Sequence, residues 1–348
     1  MNTSGANGIL IGMRKKILVT GGAGYIGSHI IITLLQAQYD VVLVDNFSNS
    51  KPERLDHIKL VAKRKCDVIV GDISDEKLIT NIFERHCFYA VIHLAGKKSV
   101  SESIQYPLKY YDNNVKSTIV LLNAMKKSKC RKFIFSSSAA VYGNNGNKFI
   151  KEDNQTIPTN PYGKTKLIIE DMLNDLKASD ETWCISILRY FNAVAAHESG
   201  LLAENHEDAP SNLFPSIARV IQGKSKELYI YGGNNSALDG TCVRDYIHVV
   251  DLARAHLECL QRIEGIGFEI LNIGTGVGYS VLEVVSCFEK MLCRSIPKKT
   301  LYPREGDVAE CVADVKKTKD VLGFSAQLTL MDMCKDTINT LSLESTAL

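Results

Sequence analysis

Short apolar runs recur through the first half of the chain, at 15–20, 39–45, 66–72, 89–96, 132–138 and 184–190, and stretches of helical period separate them. Runs this short, rich in Val and Ile and closed by Gly, Asp or Ser, predict strands buried on both faces. The intervening stretches predict helices after Gly24, over 51–63, 75–86 and 107–128, and from Pro161, a residue favoured in a first helical turn. Strands that alternate with helices imply an α/β fold, a Rossmann-type doubly wound parallel sheet. Beyond Asn192 the pattern loosens into loops rich in Gly, Asn and Pro, with helices expected near 213–222, 249–262 and 281–292. That change predicts a nucleotide domain over 15–191 and, over 192–348, a smaller C-terminal substrate lobe, some of whose segments return to the first domain.

Two local patterns add chemistry to this scaffold. Between the first strand and its helix lie Gly21, Gly24 and Gly27: the first permits a tight turn, the second a close approach of backbone to a pyrophosphate, the third close packing of helix on strand. The pyrophosphate is expected on the helix N-terminus. Asp45 ends the next strand, 21 positions beyond Gly24, where a carboxylate accepts hydrogen bonds from an adenosine ribose and repels a 2′-phosphate. NAD is therefore expected over NADP. In the run Pro161 to Lys166, Tyr162 and Lys166 stand four residues apart, so phenol and ammonium share one helix face. Free tyrosine titrates near about 10, and a cation beside it favours the phenolate, a general base for an alcohol.

The chain of 348 residues is 45% apolar and 23% charged with a net charge of +2, which is ordinary for a soluble globule and gives no sign of a nucleic-acid partner. No apolar stretch approaches membrane-spanning length, so no membrane partner is expected. Residues 1–14 read as a disordered extension with no basic residue ahead of their short apolar stretch, and the cytoplasm is the expected location. None of the ten cysteines forms a CxxC pair and the histidines show no metal-binding spacing; no metal is expected and the thiols are expected to be free. Among the histidines, His93 is expected to be buried.

With these features in place, the chain resembles the extended short-chain dehydrogenase/reductase family through TGGAGYIGSH at 20–29, DNFSN at 45–49, GDI at 71–73, YYDNNV at 110–115, SSSAAVYG at 136–143 and PYGKTK at 161–166. Adding LRYFN at 188–192, DGTCVRDYIHV at 239–249 and REGD at 304–307, it resembles more narrowly the UDP-glucose 4-epimerases (UDP-galactose 4-epimerases), from about Lys15 to near Thr337. The resemblance implies an isomerase: Tyr162 takes the proton of the sugar 4-hydroxyl while hydride moves to NAD, Lys166 lowers the Tyr162 pKa and holds the nicotinamide ribose, and Ser138 hydrogen-bonds the reacting oxygen. It implies cofactor contacts at Gly21, Gly24, Tyr25, Ile26, Gly27, Asp45, Asn46, Asn49, Asp72, Ile73, Leu94, Lys98, Asn114, Lys166 and Tyr190. For the UDP-sugar it implies Ser138, Tyr162, Asn192, Asn212, Leu213, Tyr229, Tyr231, Arg244, Arg304, Asp307 and Cys311, the two arginines pairing with the diphosphate. A homodimer is expected by the same analogy. Cys311 stands where the family varies between small residues and Tyr, which implies room for an N-acetyl group and so UDP-N-acetylhexosamines as further substrates.

Departures from the family pattern are Ala140 for a usual Thr, Ser211 for the first of an Asn pair, and Ala193 and Ala195 for Pro and Gly. Two alternatives stand beside the epimerase. A nucleotide-sugar 4,6-dehydratase or decarboxylase of this fold carries acids just after the Ser of this strand, where Ala139 and Ala140 stand. A catalytically inactive NAD-sensing module has little use for Ser138, Tyr162 and Lys166 together. Tyr229 and Tyr231 are equally readable as alternate strand residues with one in the core, and Arg244 as a surface partner of Asp245.

Overall fold

The computed structural model describes residues 14–144, 149–204, 212–232, 239–302 and 308–346. The expected terminal extension, apart from Arg14, lies outside these residues. Strands β1 (Lys16–Thr20), β2 (Asp40–Asp45), β3 (Asp67–Val70), β4 (Ala90–His93), β5 (Lys132–Ser138) and β6 (Cys184–Tyr190) fall where the apolar runs predict them. Three short strands, β7 (Asn192–Val194), β8 (Leu228–Tyr231) and β9 (Val243–His248), lie outside that sheet, and β10 (Phe268–Ile273) returns to complete it. The order is β10-β6-β5-β4-β1-β2-β3, with every pairing parallel.

Alternation along the strands builds two cores. Ile17, Val19, Leu43, Ile92, Ile134 and Leu188 join the core shared with the Tyr25–Gln36 and Val249–Ile266 helices. Leu18, Val42, Val91, Phe133, Phe135 and Ile187 belong to the opposite core, with residues of the Glu76–Arg85, Ser117–Lys127 and Pro161–Ser179 helices. Both faces are covered, so the strands read as continuous apolar runs. A third core, around Phe214, Ile230, Tyr246, Phe288 and Met333, holds the C-terminal lobe. There β11 (Gly278–Ser280) and β13 (Glu310–Cys311) flank β9, while β12 (Lys298–Leu301) pairs with β8.

The helix expected over 107–128 is three pieces: an α turn at Pro107–Tyr110, a π-helical turn at Tyr111–Lys116, and an α-helix at Ser117–Lys127. A further helix, Val100–Gln105, precedes them, capped by the Ser99 hydroxyl. Hydroxyls of Ser117 and Thr118 donate to the Asn113 and Asn114 carbonyls, at 2.5 and 2.7 Å, where the ladder widens. Apolar spacing does not register one extra residue in a turn. The C-terminal helix, Leu330–Thr346, and most of the lobe's strands also have no clear periodic signal, because those strands are only two to six residues long.

Candidate active site

Strands β1 and β4 are neighbours whose connections leave in opposite directions, and their C-terminal ends open the crevice where open α/β sheets bind ligands. Gly21 begins the turn at φ +68, and a Cβ there would stand 2.7 Å from the Ala95 backbone nitrogen. At Gly27 it would stand 2.5 Å from the Gly21 carbonyl, so only glycine lets helix and turn meet. Gly24 caps the Tyr25–Gln36 helix without a side-chain bond, which leaves first-turn N–H groups for an anion. The Asp45 carboxylate accepts from Ala23 N at 3.0 Å, Phe47 N at 2.9 Å and Ser50 Oγ at 3.1 Å, binding the end of β2 to the glycine turn. Asn46 Nδ2 donates to Asp72 Oδ2 at 2.7 Å, joining the ends of β2 and β3. Burial opposes the charge on Asp72, but donors from Ser74 and Asn46 hold its carboxyl below the usual range. These features fit a dinucleotide: an open helix terminus, Asp45 with Asn46 and Asn49 at the end of β2, Asp72 just past β3, and a glycine path past them.

Ile73 is buried beside this edge, Asn49 is exposed, and Leu94 follows β4. The Tyr25 hydroxyl donates to the Ala195 carbonyl at 2.6 Å, and Lys98 pairs with Glu204 at 2.6 Å. Both links tie the cofactor edge to the loop after β7. Asn114 is buried in the π turn: its Nδ2 donates to the Lys97 carbonyl and to Thr165 Oγ1, each at 3.1 Å, and its Oδ1 accepts Lys97 N at 2.8 Å. Its side chain thus braces the loop after β4 against the helix carrying Tyr162. The Tyr190 hydroxyl meets His256 Nε2 at 2.5 Å. His93 is buried as expected, bonded to Thr20 and Thr118, and His29, His248 and His256 are buried as well.

The Pro161–Ser179 helix is capped by Asn160, whose side chain accepts from Gly163 N at 2.9 Å, and it sets Tyr162 and Lys166 one turn apart. Lys166 is buried; its Nζ donates to the Ser136 carbonyl at 2.6 Å and lies 5.9 Å from the Tyr162 ring centroid. Ser138 ends β5 opposite Tyr190; its Oγ accepts Ala140 N at 3.2 Å, and its side chain acts on the Tyr162 phenol. The three expected catalytic residues therefore meet at one strand end. The protein alone does not lower the Tyr162 pKa: burial pushes the phenol above its ordinary range and the Ser138 hydroxyl only pulls it part of the way back. Burial also brings Lys166 down to about 8, with Glu170 opposing. Desolvation outweighs the cation on helical spacing alone, so the lowering expected from the sequence requires charge beyond these side chains.

On the lobe, Arg244 lies half-buried in β9, its Nη1 donating to the Val243 and Ala309 carbonyls at 2.9 and 3.4 Å. Asp245 is fully buried and accepts from Thr275 N and Oγ1, Gly276 N and Ala313 N, so it joins lobe segments instead of forming a surface pair with Arg244. Cys311 stands opposite Arg244 in the β13–β9 pairing and packs against the cluster of Val141, Tyr142, Ile150 and Phe191. Burial pushes its thiol up to about 11. Leu228 and Ile230 fill the core, and Tyr229 and Tyr231 share the outer face of β8, so neither tyrosine is the core residue that alternation allowed. Asn192 and Asn212 are exposed and Leu213 half-buried. Arg304, Asp307 and Ser211 lie outside the described residues.

Sequence reasoning missed the Glu170, Arg189 and Ser137 network that ties the Pro161–Ser179 helix to β5 and β6. Its one visible signal was Glu170, four residues past Lys166.

Against known proteins, residues 18–337 match the family model described as GDP-mannose 4,6 dehydratase. The chain is 45% identical over 321 residues to the UDP-glucose 4-epimerase of Bacillus subtilis (strain 168), covering 92% of this chain and 95% of that protein. Among solved structures it is similar to the UDP-glucose 4-epimerase of Bifidobacterium longum in complex with NAD+ and UDP, at a TM-score of 0.92 and 45% identity over 96% of this chain and 100% of that one. The enzyme of Stenotrophomonas maltophila, with bound NAD and formylated UDP-arabinopyranose, gives a TM-score of 0.94 at 40% identity, again over 96% and 100%. A glycine turn closed by Asp45, a Ser138, Tyr162 and Lys166 triad at one strand end, and this likeness along nearly the whole chain lead to one conclusion: the chain belongs to the UDP-glucose 4-epimerase family.

Proposed function

We propose that this protein interconverts UDP-galactose and UDP-glucose by epimerisation at C4 through a 4-keto sugar, with NAD as resident cofactor. The observation that carries this reading is the meeting of Ser138, Tyr162 and Lys166 at the C-terminal end of β5, two strands from the one that leads into the glycine turn. When bound, NAD would supply the hydride acceptor and donor for C4 and, in its positive ring, the cationic charge that the Tyr162 phenol needs. Tyr162 removes the 4-hydroxyl proton, Ser138 holds the reacting oxygen and Lys166 stabilises the phenolate. Gly24, Tyr25 and Ile26 would hold the pyrophosphate, Asp45, Asn46 and Asn49 the adenosine end, Asp72 and Ile73 the neighbouring strand edge, and Leu94, Lys98, Lys166 and Tyr190 the nicotinamide side. Arg244 and Arg304 would clamp the substrate diphosphate.

Elimination needs an acid and a base that β5 does not supply, since the turn after Ser138 is Ala139–Val141. This disfavours the dehydratase that the family model's description names. Incubation with UDP-galactose decides: UDP-glucose as product supports the reading, whereas loss of water or no turnover overturns it.

The small, partly buried side chain of Cys311, opposite Arg244, supports acceptance of UDP-N-acetylhexosamines, tested below. The helices Val100–Gln105, Pro107–Tyr110 and Pro161–Ser179 expose Val100, Ile104, Leu108 and Ile168, a face that supports a homodimer. No helix among the described residues is long and apolar enough to cross a membrane, and all ten cysteines are free thiols, which supports a reducing compartment such as the cytoplasm.

A further inference from the structure

The side of the sheet covered by the catalytic helix contains an ion pair in which neither partner meets solvent. Arg189 and Glu170 are each 3% exposed. Arg189 Nε donates to both Glu170 oxygens, at 3.1 and 3.2 Å, and Nη2 donates to Oε2 at 2.6 Å. Ser137, equally buried, donates from Oγ to Oε1 at 2.5 Å. Ser137 and Arg189 are opposite each other in the β5–β6 register, immediately before Ser138 and Tyr190. Arg189 also donates from Nη1 to the Glu152 carbonyl at 3.0 Å, and its guanidinium lies 4.7 Å from the Tyr142 ring centroid. A single carboxylate on the catalytic helix is thereby fastened to two adjacent strands, one residue below the triad.

Resting on the epimerase reading of the triad, we propose that Glu170 is a positioning residue for Tyr162 and Lys166: its carboxylate fixes the catalytic helix on β5 and β6 and supplies the buried counter-charge of Lys166. Among the described residues, few charges and dipoles face Lys166. Strand β5 presents the Ser136 carbonyl and the Phe135 ring, 4.8 Å from Nζ; β4 presents His93, which burial holds neutral; the helix itself presents Tyr162 and Glu170. Among these groups only Glu170 carries a negative charge. Burial drives Lys166 towards its neutral form and Glu170 opposes this, so removing the carboxylate moves the Lys166 midpoint to lower pH. A neutral Lys166 no longer stabilises the phenolate, and turnover falls from the alkaline side.

The test is a direct titration of Lys166 by NMR, using lysine labelled at Cε and a Lys166→Met protein to assign the signal. The parent is compared with Glu170→Gln and with Glu170→Gln/Arg189→Met, a pair change that also removes the Arg189 charge the single variant leaves behind and keeps the protein folded if the single variant unfolds. The expected result is a midpoint lower by about one pH unit or more in the folded variants. The alkaline limb of kcat should move with it while KM changes little. An unchanged midpoint in the folded double variant overturns the proposal. The titration does not depend on turnover, so a parent inactive on UDP-galactose would refute the epimerase reading and leave this measurement to judge Glu170 separately.

Discussion

At the residue scale the triad is the sharpest claim. Tyr162→Phe removes the base and leaves both binding surfaces, so kcat should fall by roughly 10²–10⁴-fold with NAD binding retained; a near-parent rate would refute the proton path. Cys311 faces a question of volume. Its thiol is small and held protonated by burial, and Cys311→Tyr should suppress turnover of UDP-N-acetylglucosamine while sparing UDP-glucose. Parallel loss of both activities would mean that the residue only packs. Ala195, where the family has Gly, adopts φ +70 and offers its carbonyl to Tyr25. A left-handed alanine costs about 1 kcal/mol relative to glycine, so Ala195→Gly should raise thermal stability by that order, read as an increase in Tm.

At the scale of elements, the glycine turn and the broken helix differ in legibility. The turn is readable because each glycine answers a local steric demand. A Gly27→Ala methyl would press on the Gly21 carbonyl at 2.5 Å, and the change should cost about 1–3 kcal/mol and weaken NAD binding, measured by calorimetry alongside unfolding. Unchanged NAD affinity would count against the turn as the cofactor cradle. The π turn was not readable, because its purpose is tertiary: it places the Asn114 amide between Lys97 and Thr165.

For the whole molecule, burial of neutral imidazoles predicts acid lability. Burial lowers His29 and His93 to about 3 and His256 to about 4. The unfolded chain therefore binds these three protons first, near its ordinary pKa of about 6.5. Their contribution to stability is present above pH 6.5 and is lost as the pH falls through 5 towards 4. Thermal midpoints across that range should decline accordingly; a flat profile between pH 6.5 and 5 would show that these rings are not held neutral.

The sequence by itself determined the parallel sheet through β6, the glycine turn, Asp45 and the Tyr162 and Lys166 pair. Each is a local matter of period, steric fit or helical spacing. Tertiary structure alone decided which later segment returns to the sheet, namely β10, that the face of β8 shared by Tyr229 and Tyr231 is turned away from the core, and that Asp245 is an internal tie and not the partner of Arg244. It also decided the sign of the Tyr162 shift. Helical spacing brings the ammonium close, but desolvation depends on what packs around the phenol from other elements, and that is absent from any local pattern. The same reason hid the Glu170, Arg189 and Ser137 network, whose three members come from one helix and two strands and meet only once the sheet is assembled.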